Sequence, residues 1–86
     1  MSRPAKQPSP VDQRDLARIR AATHFNAMVF LGRGAYDRED GFPTLPEAKA
    51  AALLIEARNP RKRAMVYAVT AEGHSTMVTD DLEAML

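Results

Sequence analysis

The chain has 86 residues, with twelve Lys/Arg against eleven Asp/Glu and no cysteine. That length holds one domain, and a domain this small buries only roughly 60–65% of the surface its unfolded chain exposes. Without disulfides or thiolate metal ligands to support so thin a core, the composition points to a reducing compartment, the cytoplasm. The formal charge of +1 excludes a strong whole-molecule field, and the longest unbroken apolar run, 50–55, is far too short to span a membrane.

Charge is unevenly distributed along the chain. Residues 1–36 carry six bases and two acids, residues 37–63 six bases and five acids, and residues 64–86 four acids and no base. A basic front and an acidic end can pair within one molecule or between molecules. Residues 1–8 combine Pro, Lys, Arg and Gln with almost nothing to bury, so they read as a disordered tail, with no apolar stretch of the kind a secretory signal needs. The remainder, 9–86, reads as a single small domain.

A helix is expected over 10–22. Ser9 suits the N-cap, Pro10 the first helical position, and Asp12 the first turn, where its charge complements the helix dipole. Its apolar face is Val11, Leu16, Ile19 and Ala22, which is thin, and 18–22 can instead extend the strand that follows. Residues 24–31 form that strand. Phe25, Ala27, Val29 and Leu31 point one way and Asn26, Met28 and Phe30 the other, an apolar pattern on both faces that suits a strand covered at least partly on each side. Gly32-Arg33-Gly34 then turns the chain into a short antiparallel partner over 35–39, closed by Asp40-Gly41.

The strongest local signal is Thr44-Leu45-Pro46-Glu47, a capping box in which Thr44 accepts from the backbone and Glu47 reaches back. The helix it opens runs over 45–58, supported by its alanines and ended by Asn59-Pro60. At 100° per residue, Ala48, Ala51, Ala52 and Ile55 form one apolar arc, while Leu53, Leu54, Ala50 and Ala57 form a second on the far side. One arc covers a sheet. The other needs a different partner, and Leu53 and Leu54 are therefore the candidate interface. Two alternatives stand beside this: the first helix covers them through Leu16 and Ile19, or the leucines face the sheet and the alanines face outward.

Residues 64–70 form a second strong strand, with Met65, Tyr67 and Val69 alternating against Ala64, Val66 and Ala68. Ala71-Glu72-Gly73 turns it into an edge strand over 74–79, and Thr79 or Asp80 caps a last helical turn bearing Leu82, Met85 and Leu86. The expected fold is α+β: an antiparallel sheet of about four strands, element order α-β-β-α-β-β-α, with the central helix packed on one face.

No motif assembles into recognisable catalytic chemistry. Gly32-Arg33-Gly34 lacks the third glycine of a dinucleotide loop, since Asp37 stands there, and the Lys-Ser/Thr of a P-loop is missing; a hairpin turn accounts for it. His24 and His74 have no metal-ligand spacing, Ser75 beside His74 is a strand neighbour facing the opposite way, and Asp80-Asp81 reads as a helix start. Met28, Met65 and Met77 read as core filler. Arg58, Arg61, Lys62 and Arg63 surround Asn59-Pro60, and with Arg33, Tyr36 and Arg38 of the hairpin they make a candidate basic patch for phosphate or an acidic partner. The bland reading of that run, a solvated loop whose first base complements a helix C-terminus, is preferred at this near-neutral charge.

The segment 30–38 (Phe-Leu-Gly-Arg-Gly-Ala-Tyr-Asp-Arg), Phe42, the 44–48 helix start and the 64–69 strand together resemble short uncharacterised proteins of alphaproteobacteria, a likeness spanning about residues 24–80. It implies a bacterial cytosolic protein and assigns no functional residue. The expected function is a non-enzymatic interaction or assembly module, self-associating or docking a protein partner, with no cofactor and no metal. The alternative is a small nucleic-acid-binding module using the 58–63 loop and the basic N-terminal region.

Overall fold

The computed structural model describes residues 8–86; of the expected 1–8 tail, residues 1–7 lie outside the described residues. Pro8 is half-buried, and its carbonyl accepts from Gln13 Nε2 at 3.4 Å. In order, the chain forms α1 (Pro10–Arg20), β1 (Ala22–Gly32), β2 (Ala35–Phe42), α2 (Leu45–Arg58), β3 (Met65–Thr70), β4 (Ser75–Met77) and α3 (Asp80–Met85). This is the α-β-β-α-β-β-α order expected from the sequence, and the four strands make one antiparallel sheet, β2-β1-β3-β4.

The ends of α1 and α2 are set by short side chains. Ser9 Oγ accepts from Asp12 N at 3.1 Å, and the Asp12 carboxylate accepts from Ser9 N at 3.2 Å, a reciprocal box that satisfies two free donors. Thr44 caps α2 differently from the sequence expectation. Its hydroxyl accepts from Glu47 N at 3.4 Å and donates to Glu47 Oε1 at 2.9 Å, so Glu47 reaches back to the hydroxyl rather than to a backbone amide. Thr44→Ala removes both hydrogen bonds and is expected to cost about 1 kcal/mol, read as a lower Tm with unchanged two-state cooperativity. The same Tm as the parent would mean that the cap contributes nothing.

All three helices lie on one face of the sheet. The core joins Leu16 and Ile19 of α1, Ala48, Ala51, Ala52 and Ile55 of α2 and Leu82 of α3 to Phe25, Ala27, Val29, Val66 and Ala68 of the two central strands. On β1, the burial alternates residue by residue from Phe25 to Val29, as a strand covered on one side requires. Arg20 donates to the Met85 carbonyl at 3.4 Å, joining the ends of α1 and α3. Among the described residues no buried side-chain polar atom lacks a hydrogen-bond partner; buried Thr70 accepts from His74 N at 3.1 Å.

Several boundaries differ from the sequence reading. Ala22 belongs to β1, because Ala21 caps α1 and Ala22 pairs with Thr70. Val11 and Leu31 are exposed rather than part of the apolar faces assigned to them. Strand β2 continues past Asp40-Gly41 to Phe42 through a bulge: Phe25 pairs with Phe42 and Ala27 with Glu39, so two residues of β2 oppose Asn26 alone. Gly41 takes φ +86° there, and its N–H donates to Asn26 Oδ1 at 3.0 Å.

Candidate interaction surfaces

Three surfaces stand out: the outer face of α2, the sheet face opposite the helices, and a groove beside α2. The first follows from helix geometry. With Ala48, Ala51, Ala52 and Ile55 against the sheet, Leu53 and Leu54 point outward, 69% and 63% exposed. This decides among the three sequence alternatives: α1 does not cover the leucines, and the alanine arc faces the sheet. Ala50 and Ala57, also exposed, extend the strip.

The second surface is where the structure departs most from the sequence reading. A strand with two apolar faces suggested cover on both, yet no described element packs on the side away from the helices. The strand register places Phe30 beside Tyr36, and Arg38 beside Met28, itself beside Met65. Asn26, Tyr67 and Met77 form the next row, and His24, Val69 and Ser75 the last. The three methionines read as core filler are half-buried here, outside the core. Phe30 and Tyr36 are 55% and 50% exposed, with ring centroids 5.3 Å apart and planes tilted by 54°. The sequence reading placed Phe30 and Tyr67 on strand faces but did not count them as candidate site residues, although a signal was present: the chain offers too little helix to cover both faces of its two apolar strands.

The third surface is a groove of about 440 Å³ between α2 and the β3–β4–α3 side. Leu45, Ala52, Leu53 and Val78 supply its apolar wall, and Lys49, Glu56, Arg63 and Glu83 its charged rim. Lys49 Nζ is bonded to Glu83 Oε2 at 2.7 Å. Neither His24 nor His74 lines this groove, so it does not join an imidazole to a carboxylate. Among the described residues no group of three His, Cys, Asp or Glu side chains is disposed to hold a metal, and no helix is long and apolar enough to cross a membrane.

The segments that carry the expected basic patch meet at one end of the sheet, and two of its six cations are ion-paired while Tyr36 packs on Phe30. Arg58 Nη2 bonds Asp37 Oδ1 at 2.8 Å, and Asn59 Nδ2 donates to Asp37 Oδ2 at 2.7 Å, fastening the start of the 59–64 loop to β2. Arg38 is held by Asp40, with Nε to Oδ2 at 3.1 Å. Arg33, Arg61, Lys62 and Arg63 are exposed and make no ion pair among the described residues. Arg33 sits at the β1–β2 turn. Strand β3 starts opposite Met28, so the 59–64 loop enters at that same end. Arg63 turns to the helix side, where it and Asp80 both line the groove.

The hydrogen bond from Arg58, then that from Asn59, holds the Asp37 carboxyl below its ordinary range against the opposing pull of desolvation. A depressed folded-state value contributes stability above the unfolded value of about 3.9, lost as pH falls through the lowered one. Asp37→Asn is therefore expected to be less stable than the parent at neutral pH, with the gap closing as pH drops below about 4. Parallel acid titrations followed by circular dichroism check this; a constant gap across that window would contradict it.

Comparison with protein-family models, with curated proteins and with solved structures gives no match to this chain.

Proposed function

We propose that the protein is a non-enzymatic interaction module of the bacterial cytoplasm, self-associating or docking a protein partner through the outer face of α2, with no cofactor. The observation that carries this is the exposure of Leu53 and Leu54, side by side on a helix whose opposite face already fills the core. Adjacent exposed leucines flanked by alanines form an apolar strip that is stabilised by leaving water. A two-fold contact between two such helices running antiparallel lays strip on strip and opposes their dipoles favourably. The cysteine-free composition supports a reducing compartment.

One helix face is smaller than the roughly 800 Å² per partner of a standard stable interface, so the expected association is weak and concentration-dependent. Light scattering across a protein series reaching about 1 mM, the range of weak affinities, tests it. The parent is expected to gain mass with concentration, and Leu53→Lys to stay folded and monomeric throughout. A parent that remains monomeric to that limit overturns self-association. Unfolding of Leu53→Lys would overturn the outward placement of Leu53.

A further inference from the structure

We infer that the open face of the sheet, at its β1–β2 turn end, binds single-stranded nucleic acid, stacking unpaired bases on Phe30, Tyr36 and Tyr67 and holding phosphates with Arg33, Arg61 and Lys62. The surface is separate from the α2 strip and does not depend on it.

The first support is the composition of the face. A four-stranded antiparallel sheet with helices on one side and exposed rings on the other offers flat π-surfaces to splayed bases. Phe30 and Tyr36 stand at one end, more than half and half exposed. Tyr67 lies in the row of Asn26, four residues back along β1 from Phe30, about 13 Å by strand rise. Met28 and Met65, soft and polarisable, fill the interval between the rings. Asn26, His24 and Arg38 bring polar edges onto the same face, which suits bases better than the dry core of another sheet.

The second support is charge. At this end the carboxylates of Asp37 and Asp40 are occupied by Arg58 and Arg38, which leaves Arg33, Arg61 and Lys62 with no ion pair among the described residues. A polyanion supplies the complement.

The third support is backbone conformation. Among the described residues only two non-glycines have positive φ, and they are Arg33 at +54° and Arg61 at +71°. Arg33-Gly34 is the two-residue loop of the β1–β2 hairpin, both φ values positive, a geometry that Asn or Gly adopts with less strain. Arg61 follows Pro60 in a turn closed by Lys62 N to Asn59 O at 3.1 Å, at the position where such turns favour Gly. Both strained positions carry arginine, and both lie at the end that bears the rings. Strain held at two exposed sites in favour of a long cation is explained by what the cation contacts.

The test uses fluorescence anisotropy with labelled single-stranded DNA and RNA of about 12 nucleotides, a length within the span of compact single-strand binders, beside a duplex of the same sequence. The parent is expected to bind single strands at roughly 50 mM salt more tightly than the duplex, with affinity falling steeply as salt rises. The double variant Arg33→Gly, Arg61→Gly relieves both strained residues, so it is expected to be as stable as the parent or more so. Its log–log salt dependence is expected to be shallower by about 1.4, since each single-strand phosphate that a cation neutralises adds about 0.7 to the slope. Phe30→Ala with Tyr36→Ala, both exposed positions, is expected to weaken binding at least tenfold at every salt concentration, and Tyr36→Trp to retain it. Absence of binding by the parent at low salt overturns the inference. Equal affinity for duplex, or binding indifferent to the removal of both rings, overturns it in favour of unspecific charge. A change in solution mass on removing the rings, with nucleic-acid affinity intact, overturns it in favour of a protein interface on this face.

Discussion

Ile55→Ala is expected to destabilise the fold by about 2–5 kcal/mol, the range for truncating a fully buried branched side chain. Ile55 is wholly buried and, with Val29, among the largest side chains completely enclosed by the core. Its neighbours on the inner face of α2 are Ala48, Ala51 and Ala52, which have no spare length to fill the void. A chain of this size has a total stability of roughly 4–13 kcal/mol, so one substitution removes a large part of it. Leu53→Ala, two residues earlier in the same helix, is the internal control: an exposed site, expected within about 0.5 kcal/mol of the parent. Urea unfolding of the three proteins gives both numbers from midpoints at constant slope. Equal destabilisation at 53 and 55 would show that α2 is rotated about its axis, with Leu53 turned toward the sheet.

Ala27→Leu is expected to cost about 1–3 kcal/mol by overpacking. Ala27 lies on central strand β1, facing α2, and Ala27, Ala48 and Ala68 are all completely buried. Small side chains on both the helix and the sheet let the two layers approach closely, and three more heavy atoms at the middle of that contact force either a shifted helix or a strained rotamer. Met28→Leu, at the next residue but on the open face, preserves volume and is expected to change stability by less than about 1 kcal/mol. Thermal and denaturant unfolding distinguish the two. An Ala27→Leu protein as stable as the parent would show that the alanine layer is not the closest point between α2 and the sheet.

Legibility in the sequence followed the range of the interaction. Helix α2 was readable to the residue because both its ends are set locally, by Thr44 and by Asn59-Pro60. Its two arcs were equally readable, since a rigid 3.6-residue period converts sequence positions directly into angles. The tip of the hairpin was readable from its glycines. The extent of β2 was not: Asp40-Gly41 has the composition of a turn, and only pairing with Asn26 across the sheet makes it a bulge inside a strand. The cap of α2 was foreseen in kind but not in its donor, because a carboxylate chooses between a hydroxyl and an amide by fractions of an ångström.

The candidate surfaces divide the same way. Helical and strand periodicity alone put Leu53 and Leu54 opposite the alanine arc and apolar residues on both faces of β1 and β3. Which arc faces the sheet was decided by packing, as the alanines and Ile55 fit against Ala27 and Ala68. That one sheet face stays open was also a tertiary decision, because α1 and α3 join α2 on the same side around Leu16, Ile19 and Leu82. The arrival of the β1–β2 turn with Arg33 and of the 59–64 loop at the same end of the sheet as Phe30 and Tyr36 required the antiparallel β2-β1-β3 order, which joins segments some thirty residues apart. Periodicity within an element is a local property of the backbone, whereas the partner of each face is settled only when the whole chain competes for the same limited apolar surface.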